Sequence, residues 1–377
     1  MRSVSTFRVE RGNFAFEFSE IISPVMAELE SVLLSGRYIL SDEVDRFEQA
    51  FSDYVGCSHT LGVNSGTDAL YLALRALGIG AGDEVITVAN TFHATALAIA
   101  NVGARTVLVD ARADDFQMDS TRIEAAISPR TKAILAVHLF GKPLDITPLM
   151  QLCERYGLFL VEDCAQATGA SIGGRKVGSF GDIACFSFHP SKTLAAAGDA
   201  GALTTNNIEL AARVRSLRYF GQRESKVHSE LGCNSKLDSV QAIVLFHKLR
   251  LLDHWNELRR TQARRYIAGL ADLPLRFQAV GQNEGHVYHL FQISLEGPGR
   301  DSLLSHLVSQ GIDAIVRYPV PIHLQPAFQN LGYERGAFPV SERLANANLC
   351  LPLRPDMSSD ESELVIGAVR EFFGHSH

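Results

Sequence analysis

The chain has no cysteine pair at C-x-x-C spacing, no long apolar run and no excess of positive charge. Each absence removes a class of protein. Its six cysteines (Cys57, Cys153, Cys164, Cys185, Cys233 and Cys350) are scattered over 377 residues, which suits reduced core thiols and gives neither a disulfide framework nor a metal motif. No metal is therefore expected. The opening MRSVSTFRVERGNFAFEFSE lacks the apolar stretch of a signal peptide, and the later apolar stretches are strand-sized or amphipathic. A cytoplasmic location without a membrane span is expected. With 35 basic against 42 acidic residues, the net charge of -7 argues against nucleic acid as a partner but permits a local basic pocket. Internal repeats and low-complexity segments are absent, and the closing GHSH is given no function.

What is present is a hydrophobic content of 46% with 20% charged residues, enough for a sizeable core. The length implies one large domain and a smaller one. From about residue 60 to 205, strand-like runs (HTLGV, DEVITVAN, RTVLVD, KAILAVHLF, LFLVED) alternate with amphipathic stretches, among them SGTDALYLALRAL, FHATALAIANVG, STRIEAAI and DITPLMQLCERYG. Continuous apolar runs separated by helices indicate a mostly parallel sheet covered on both faces. IACFSFHP and GALTTN have no helix between them and read as an antiparallel excursion. LDSVQAIVLFHKLRLLDHWNELRRTQARRYIAGL has helical periodicity and reads as one long linking helix. Beyond it, HVYHLFQISL and IDAIVRY read as strands and RDSLLSHLVSQG as a helix closed by Gly311. The division expected is 1–245 for the large domain with the N-terminal segment, and 246–377 for the linking helix and a smaller α+β domain.

In an open α/β sheet, ligands gather at the carboxyl ends of the strands. Three features fall there. Asn64-Ser65-Gly66-Thr67-Asp68 ends a strand and opens a helix, where glycine admits close approach and the free N–H groups favour a phosphate; a plain helix cap is the alternative. Asp163 ends LFLVED and can face a charged ring nitrogen, while Glu162 points to the opposite face. A salt bridge or a metal ligand are the other uses of such an aspartate. Lys192 follows a strand among small residues, where desolvation can lower its pKa until it forms a Schiff base; a surface loop lysine is the alternative. Ser187 and Ser191 stand at the wrong spacing from Lys192 for an S-x-x-K nucleophile.

The succession NSGTDALYLAL, GDEVITVANTFHATALAI, VEDCAQATGA, GSFGDIACFSFHPSKTLAAAGDAGAL and GCNSKLDSVQAIVL, followed by HVYHLFQI and RYPVPIHLQPAF, resembles the DegT/DnrJ/EryC1/StrS aminotransferases from about residue 20 to 370. The resemblance implies a type I pyridoxal 5'-phosphate (PLP) fold like that of aspartate aminotransferase, in a homodimer with shared active sites. It also implies transfer of an amino group from glutamate or glutamine to a keto-sugar, most often a nucleotide-linked one. By position, Lys192 matches the Schiff-base lysine and Asp163 the partner of the pyridine nitrogen. Gln166 matches the contact beside the phenolic oxygen, and Gly66, Thr67 and Ser187 match phosphate contacts. Phe92 matches a ring stacked on the cofactor, and Asn234 matches a residue that reaches the neighbouring subunit's phosphate. Tyr38, Tyr318 and His323 are the expected substrate contacts, each with a structural role as the alternative.

Thr193 stands where many members have Asn, Asp199 where many have Glu, and His93 where a small apolar residue is common. The GDAG segment resembles members that aminate position 3 of a 6-deoxy-keto-sugar. A cyclitol ketone as acceptor and a non-catalytic PLP-binding regulator are the other readings. Sugar dehydratases of the family carry His in place of Lys192, and a plain nucleotide-binding α/β protein would need a G-x-G-x-x-G or G-x-x-x-x-G-K motif after the first strand, which is missing.

Overall fold

The computed structural model describes residues 7–224 and 226–374, so the opening six residues and the last three of GHSH lie outside it. Among these residues no helix is long and apolar enough to cross a membrane.

The large sheet has seven strands: β1 (His59–Val63), β2 (Glu84–Val88), β3 (Arg105–Val109), β4 (Thr131–Val137), β5 (Phe159–Asp163), β6 (Ile183–Ser187) and β7 (Gly201–Thr205). Their order is β1-β7-β6-β5-β4-β2-β3. Strands β2 to β6 pair in parallel, and β7 runs antiparallel to both β1 and β6, as the missing crossover helix foretold. β2, β6 and β7 are buried at every position, which is why they read as unbroken apolar runs.

Both faces are covered. The helices α1 (Ile22–Ser35), α2 (Asp42–Val55), α3 (Gly66–Ala76), α4 (His93–Asn101), α5 (Thr147–Tyr156), α6 (Ile208–Leu217) and α7 (Ser239–Leu249) belong to this unit. Leu70, Ile99, Leu149 and Val214 of α3 to α6 pack in one core, whereas Phe47 and Phe51 of α2 and Leu245 of α7 pack on the other face with Phe186. Local signals fix the helix ends: Pro148 opens α5, and Gly157, left-handed at φ 64°, closes it. STRIEAAI forms two short 3-10 turns instead of a helix.

The long linking helix is broken. α7 ends at Leu249 and α8 (Leu252–Leu270) starts afresh, with Arg250 and Leu251 between them. The apolar positions of the two halves serve different cores: Leu245 and Leu249 face the large unit, Ala263, Tyr266 and Leu270 the small one. A continuous 3.6-residue pattern hides this change of partner. The expected division at residues 245 and 246 falls inside α7.

The smaller unit is an antiparallel sheet β8 (Leu275–Phe277), β9 (Phe291–Leu295) and β10 (Asn348–Leu351), packed with α8, α9 (Arg300–Ser309) and α11 (Ser359–Phe372). Val9 from the N-terminal segment is buried in its core. Helix α10 (Pro339–Ala347) returns to the large sheet, where the Val340 and Ser341 N–H groups donate to Asp110 at 2.9 and 2.8 Å. Two expected strands shrink. HVYHLFQISL is extended only over Phe291–Leu295, because Val287 and Leu290 direct their N–H groups to Gly141 and Phe140 of the large unit. IDAIVRY forms only isolated bridges, from Ile312 to Val9 and from Ile315 to Cys350.

Candidate active site

The polar groups at the carboxyl ends of β1, β5 and β6 meet in one cavity of about 750 Å³ between the two units. After β1, Ser65 caps α3 by accepting from the Asp68 N–H at 3.1 Å, so the cap reading holds for that residue. The Gly66 and Thr67 N–H groups in the same first turn have no partner inside the helix. Gly66 is required by space: a Cβ there would lie 2.5 Å from the Ser187 Cβ at the end of β6. Gly201, at the start of β7, is just as close to the Ser65 backbone. Strand ends therefore press directly on the helix terminus, and its first turn borders the cavity.

Strand β5 divides its last two carboxylates between its faces. Glu162 is buried and accepts from His138 Nε2 at 3.1 Å and from the Gly178, Phe180 and Gly181 N–H groups at 2.8–2.9 Å. Burial pushes its carboxyl up, but those donors outweigh burial and hold it below the usual range. His138, Glu162 and Cys164 lie close enough together to suggest a cation site. The acceptor sites of Glu162 are nevertheless filled, and His138 Nδ1 accepts from the Leu144 N–H at 3.0 Å, so the cluster is a hydrogen-bonded brace.

Asp163 faces the cavity. Its carboxylate accepts from Thr95 Oγ1 at 2.9 Å and the Ala165 N–H at 3.1 Å. Burial pushes this carboxyl above the usual range, against those two donors and the Lys192 amine. A cation placed in the cavity would offset that desolvation.

Lys192 sits in a loop that is pinned, unlike a surface loop. Its N–H donates to the His189 carbonyl at 2.8 Å, while Phe188 and Ala196 close the loop through bonds to Ala200 and Phe188, both also 2.8 Å. Burial lowers the Lys192 pKa to about 8, with Asp163 opposing the shift and Arg317 adding to it. Gln166 bridges the far side: its Oε1 accepts from the Phe140 N–H at 2.7 Å and its Nε2 donates to the Tyr318 hydroxyl at 2.8 Å. Phe92, 40% exposed, stands 5.5 Å from the Tyr318 ring.

Every expected cofactor and substrate residue lines this cavity except Asn234, Tyr38 and His323. Asn234 is exposed on a separate loop, where its carbonyl accepts from Asn64 Nδ2 at 3.0 Å. Tyr38 is also exposed, its hydroxyl donating to the Leu33 carbonyl at 3.0 Å. His323 is buried, bonded to Glu342 at 2.9 Å, with its ring edge-on to Phe338. His93 turns outward beside Phe92, and Asp199 lines the cavity, whereas Thr193 is buried outside it. Sequence reasoning missed Thr95, Arg317 and His289. Thr95 was detectable as a polar residue on the buried face of the otherwise apolar HATALAIAN. Arg317 and His289 gave no local signal, since what matters is their packing across the two units.

A phosphorylated pyridine aldehyde fits this set of groups. The crowded turn at Gly66 offers N–H groups to a phosphate, the buried Asp163 carboxylate needs a cationic partner, and Lys192 presents an amine of lowered basicity. The sheet and its cavity place the chain in the class of PLP-dependent aminotransferases. More narrowly, it belongs to the DegT/DnrJ/EryC1/StrS aminotransferase family, whose profile matches residues 20–370. It is 44% identical, over 94% of this chain and 93% of the relative, to a dTDP-3-amino-3,4,6-trideoxy-alpha-D-glucose transaminase of Streptomyces venezuelae. A transaminase of the same name from Micromonospora megalomicea subsp. nigra is 43% identical over 95% and 97% of the two chains. The crystal structure of S. venezuelae DesV in complex with a ketimine intermediate superposes with a TM-score of 0.95 at 42% identity, covering 98% of this chain and 100% of that one.

Proposed function

We propose that this enzyme transfers an amino group from glutamate or glutamine to the 3-keto carbon of a dTDP-linked 6-deoxy sugar, acting in the cytoplasm as a homodimer. The observation that carries the chemistry is the pairing of a buried carboxylate, Asp163, with an amine of lowered pKa, Lys192, in one cavity. The two transaminases that match nearly the full chain support the choice of sugar.

PLP, when bound, supplies the electron sink that makes the amino-bearing carbon acidic. The chain's residues do the rest. Gly66 and Thr67 donate N–H groups to the phosphate, and Ser187 closes the same pocket. Asp163 holds a proton on the ring nitrogen, with Thr95 and the Ala165 N–H fixing the direction of its carboxylate. Gln166 and Phe92, which line the cavity, would border the cofactor's ring. Lys192 would hold the cofactor through its amine, and that amine, of lowered basicity, would take a proton from the donor's amino-bearing carbon. Tyr318, held by Gln166, faces the substrate.

Asn234 belongs to the neighbouring subunit's site in this reading. Its exposure outside its own cavity supports that role, as do nearby exposed apolar residues such as Phe220 and Leu231. Tyr38 and His323 touch substrate only if the partner or domain closure brings them in. The test is to incubate the holoenzyme with glutamate and a dTDP-linked 3-keto-6-deoxyhexose and look for the amino-sugar nucleotide by mass spectrometry. Amination of cyclitol ketones alone, or of no ketone with cofactor still bound, would refute the sugar assignment.

A further inference from the structure

His289 lines the cavity and is buried, and its Nδ1 has no hydrogen-bond partner among the described residues. A buried polar atom left unpaired calls for an explanation. The segment that carries it is nevertheless firmly held. The Val287 and Leu290 N–H groups donate to the Gly141 and Phe140 carbonyls at 3.0 and 3.3 Å, and a Cβ on Gly141 would lie 2.7 Å from the His289 backbone nitrogen. The same turn positions Gln166, whose Oε1 accepts from the Phe140 N–H at 2.7 Å. A side chain of the small unit is thus seated on the cofactor floor of the large one. With Nδ1 enclosed by protein, Nε2 is the ring nitrogen left to face the cavity. Burial, and then the charges of Lys192, Arg259, Arg317 and His189, push the His289 pKa well below its ordinary value, so the ring stays neutral. Of those charges, that of Lys192 acts most strongly.

We infer that His289 is a positioning residue for Lys192: its Nε2 accepts a hydrogen bond from the Lys192 amine once that amine is free of the cofactor. The inference rests on the transaminase reading above. Proton transfer needs the lone pair of the amine aimed at the donor's amino-bearing carbon, so its N–H groups must be held in another direction. Few neighbours can accept them. Arg259 and Arg317 carry only donors. His189 Nδ1 already accepts from the Ser191 N–H at 3.2 Å, which leaves its Nε2 as a donor. The Asp163 carboxylate is engaged by Thr95 and the Ala165 N–H, and Gln166 Oε1 by Phe140. His289, uncommitted at Nδ1, can keep its proton there and leave the Nε2 lone pair free. In the transfer the C–H bond breaks and an N–H bond forms on Lys192, while the electron pair stays with the carbon and is drawn towards the cofactor. His289 neither gains nor loses a proton. Its neutrality matters, because a charged imidazole has no lone pair to offer and would repel the ammonium.

The test compares wild-type holoenzyme with His289→Leu, which removes the ring nitrogens at similar volume, and His289→Gln, which returns a polar group of similar reach. The donor half-reaction is followed by single-turnover absorbance. In His289→Leu its maximal rate should fall about 10- to 100-fold, the usual cost of a misaimed reacting group, with the half-saturating glutamate concentration unchanged. The isotope effect with glutamate deuterated at the amino-bearing carbon should increase, because proton transfer becomes the slow step. His289→Gln should recover part of both. Capture of PLP by each apoenzyme should keep its rate and its pH midpoint, showing that the fold and the basicity of the amine are intact. An unchanged donor rate overturns the inference. So does a slower rate with the isotope effect unaltered. A raised half-saturating concentration would instead assign His289 to donor binding, and loss of PLP capture in both variants would make it a structural residue; either result also overturns the inference. If wild-type enzyme shows no spectral response to glutamate or glutamine, the transaminase reading itself fails, a result distinct from any of these.

Discussion

At the carboxyl ends of β1, β5 and β6, polar groups facing the cavity are buried and held by one chain. Asp163 has two donors, Gln166 bonds on both sides, and the Gly66 turn is wedged between strands. Helix α1 and the residues Phe220, Val227 and Leu231 are the reverse. There Leu34 is 82% and Leu231 85% exposed, with Leu33, Phe220 and Val227 also open to solvent. Apolar exposure of this kind suits the contact surface of the proposed homodimer. The comparison separates two kinds of completeness. The cofactor floor is finished by the fold of a single chain, and in the proposed homodimer the rim would be finished by association.

Four variants and one titration test that separation. The largest effect belongs to the floor: Lys192→Ala should lower turnover by at least about 10⁴-fold, since it removes both anchor and proton carrier. Stopped-flow absorbance should show cofactor still held but no response to glutamate; a responsive mutant would remove Lys192 from the chemistry. Asp163→Asn should leave cofactor bound and reduce turnover about 10²- to 10³-fold, because a neutral amide no longer holds the ring nitrogen protonated. Turnover within a few-fold of wild type would contradict that role.

The rim is broken by Leu34→Asp with Leu231→Asp. Sedimentation should then show monomer, with activity falling about 10²-fold while the thermal midpoint of the large unit changes little. A dimer that persists would move the interface elsewhere. Thr95→Val probes how finely the floor is tuned: losing one bond to a carboxylate, worth about 1.5 kcal/mol at the low end, should slow turnover about tenfold, with donor KM unchanged. The smallest effect is with pH. With a pKa of about 8, the Lys192 amine is about a tenth free at pH 7 and half free at pH 8. The rate at which apoenzyme captures PLP should therefore rise about fivefold over that unit and level off above it. A continued rise towards pH 10 would show that burial does not depress this lysine.

Most of the floor was legible in the sequence, for a physical reason. Buried parallel strands must be apolar throughout, so their ends are marked where polar residues such as Asn64, Asp163 and Ser187 appear, and ligands gather at those ends. The break after Leu249 was not legible, because Arg250 and Leu251 continue the helical pattern and only the change of core interrupts it. The same holds for HVYHLFQISL, whose first half bonds to Gly141 and Phe140 of the other unit. His323 illustrates a further limit: a histidine bonded to Glu342 and packed on Phe338 has no distinct local signature. Thr95 could have been found, as a polar residue on a buried helical face.

The wedge at Gly66 also bears on how such an enzyme can be diversified. With Ser187 and the start of β7 already within a carbon's width of the α3 terminus, this corner has no spare volume in which a library could search. Randomising it would yield mostly inactive clones. Codon diversity aimed at a new acceptor belongs instead on the opposite wall, around Phe92, which lines the cavity and is 40% exposed.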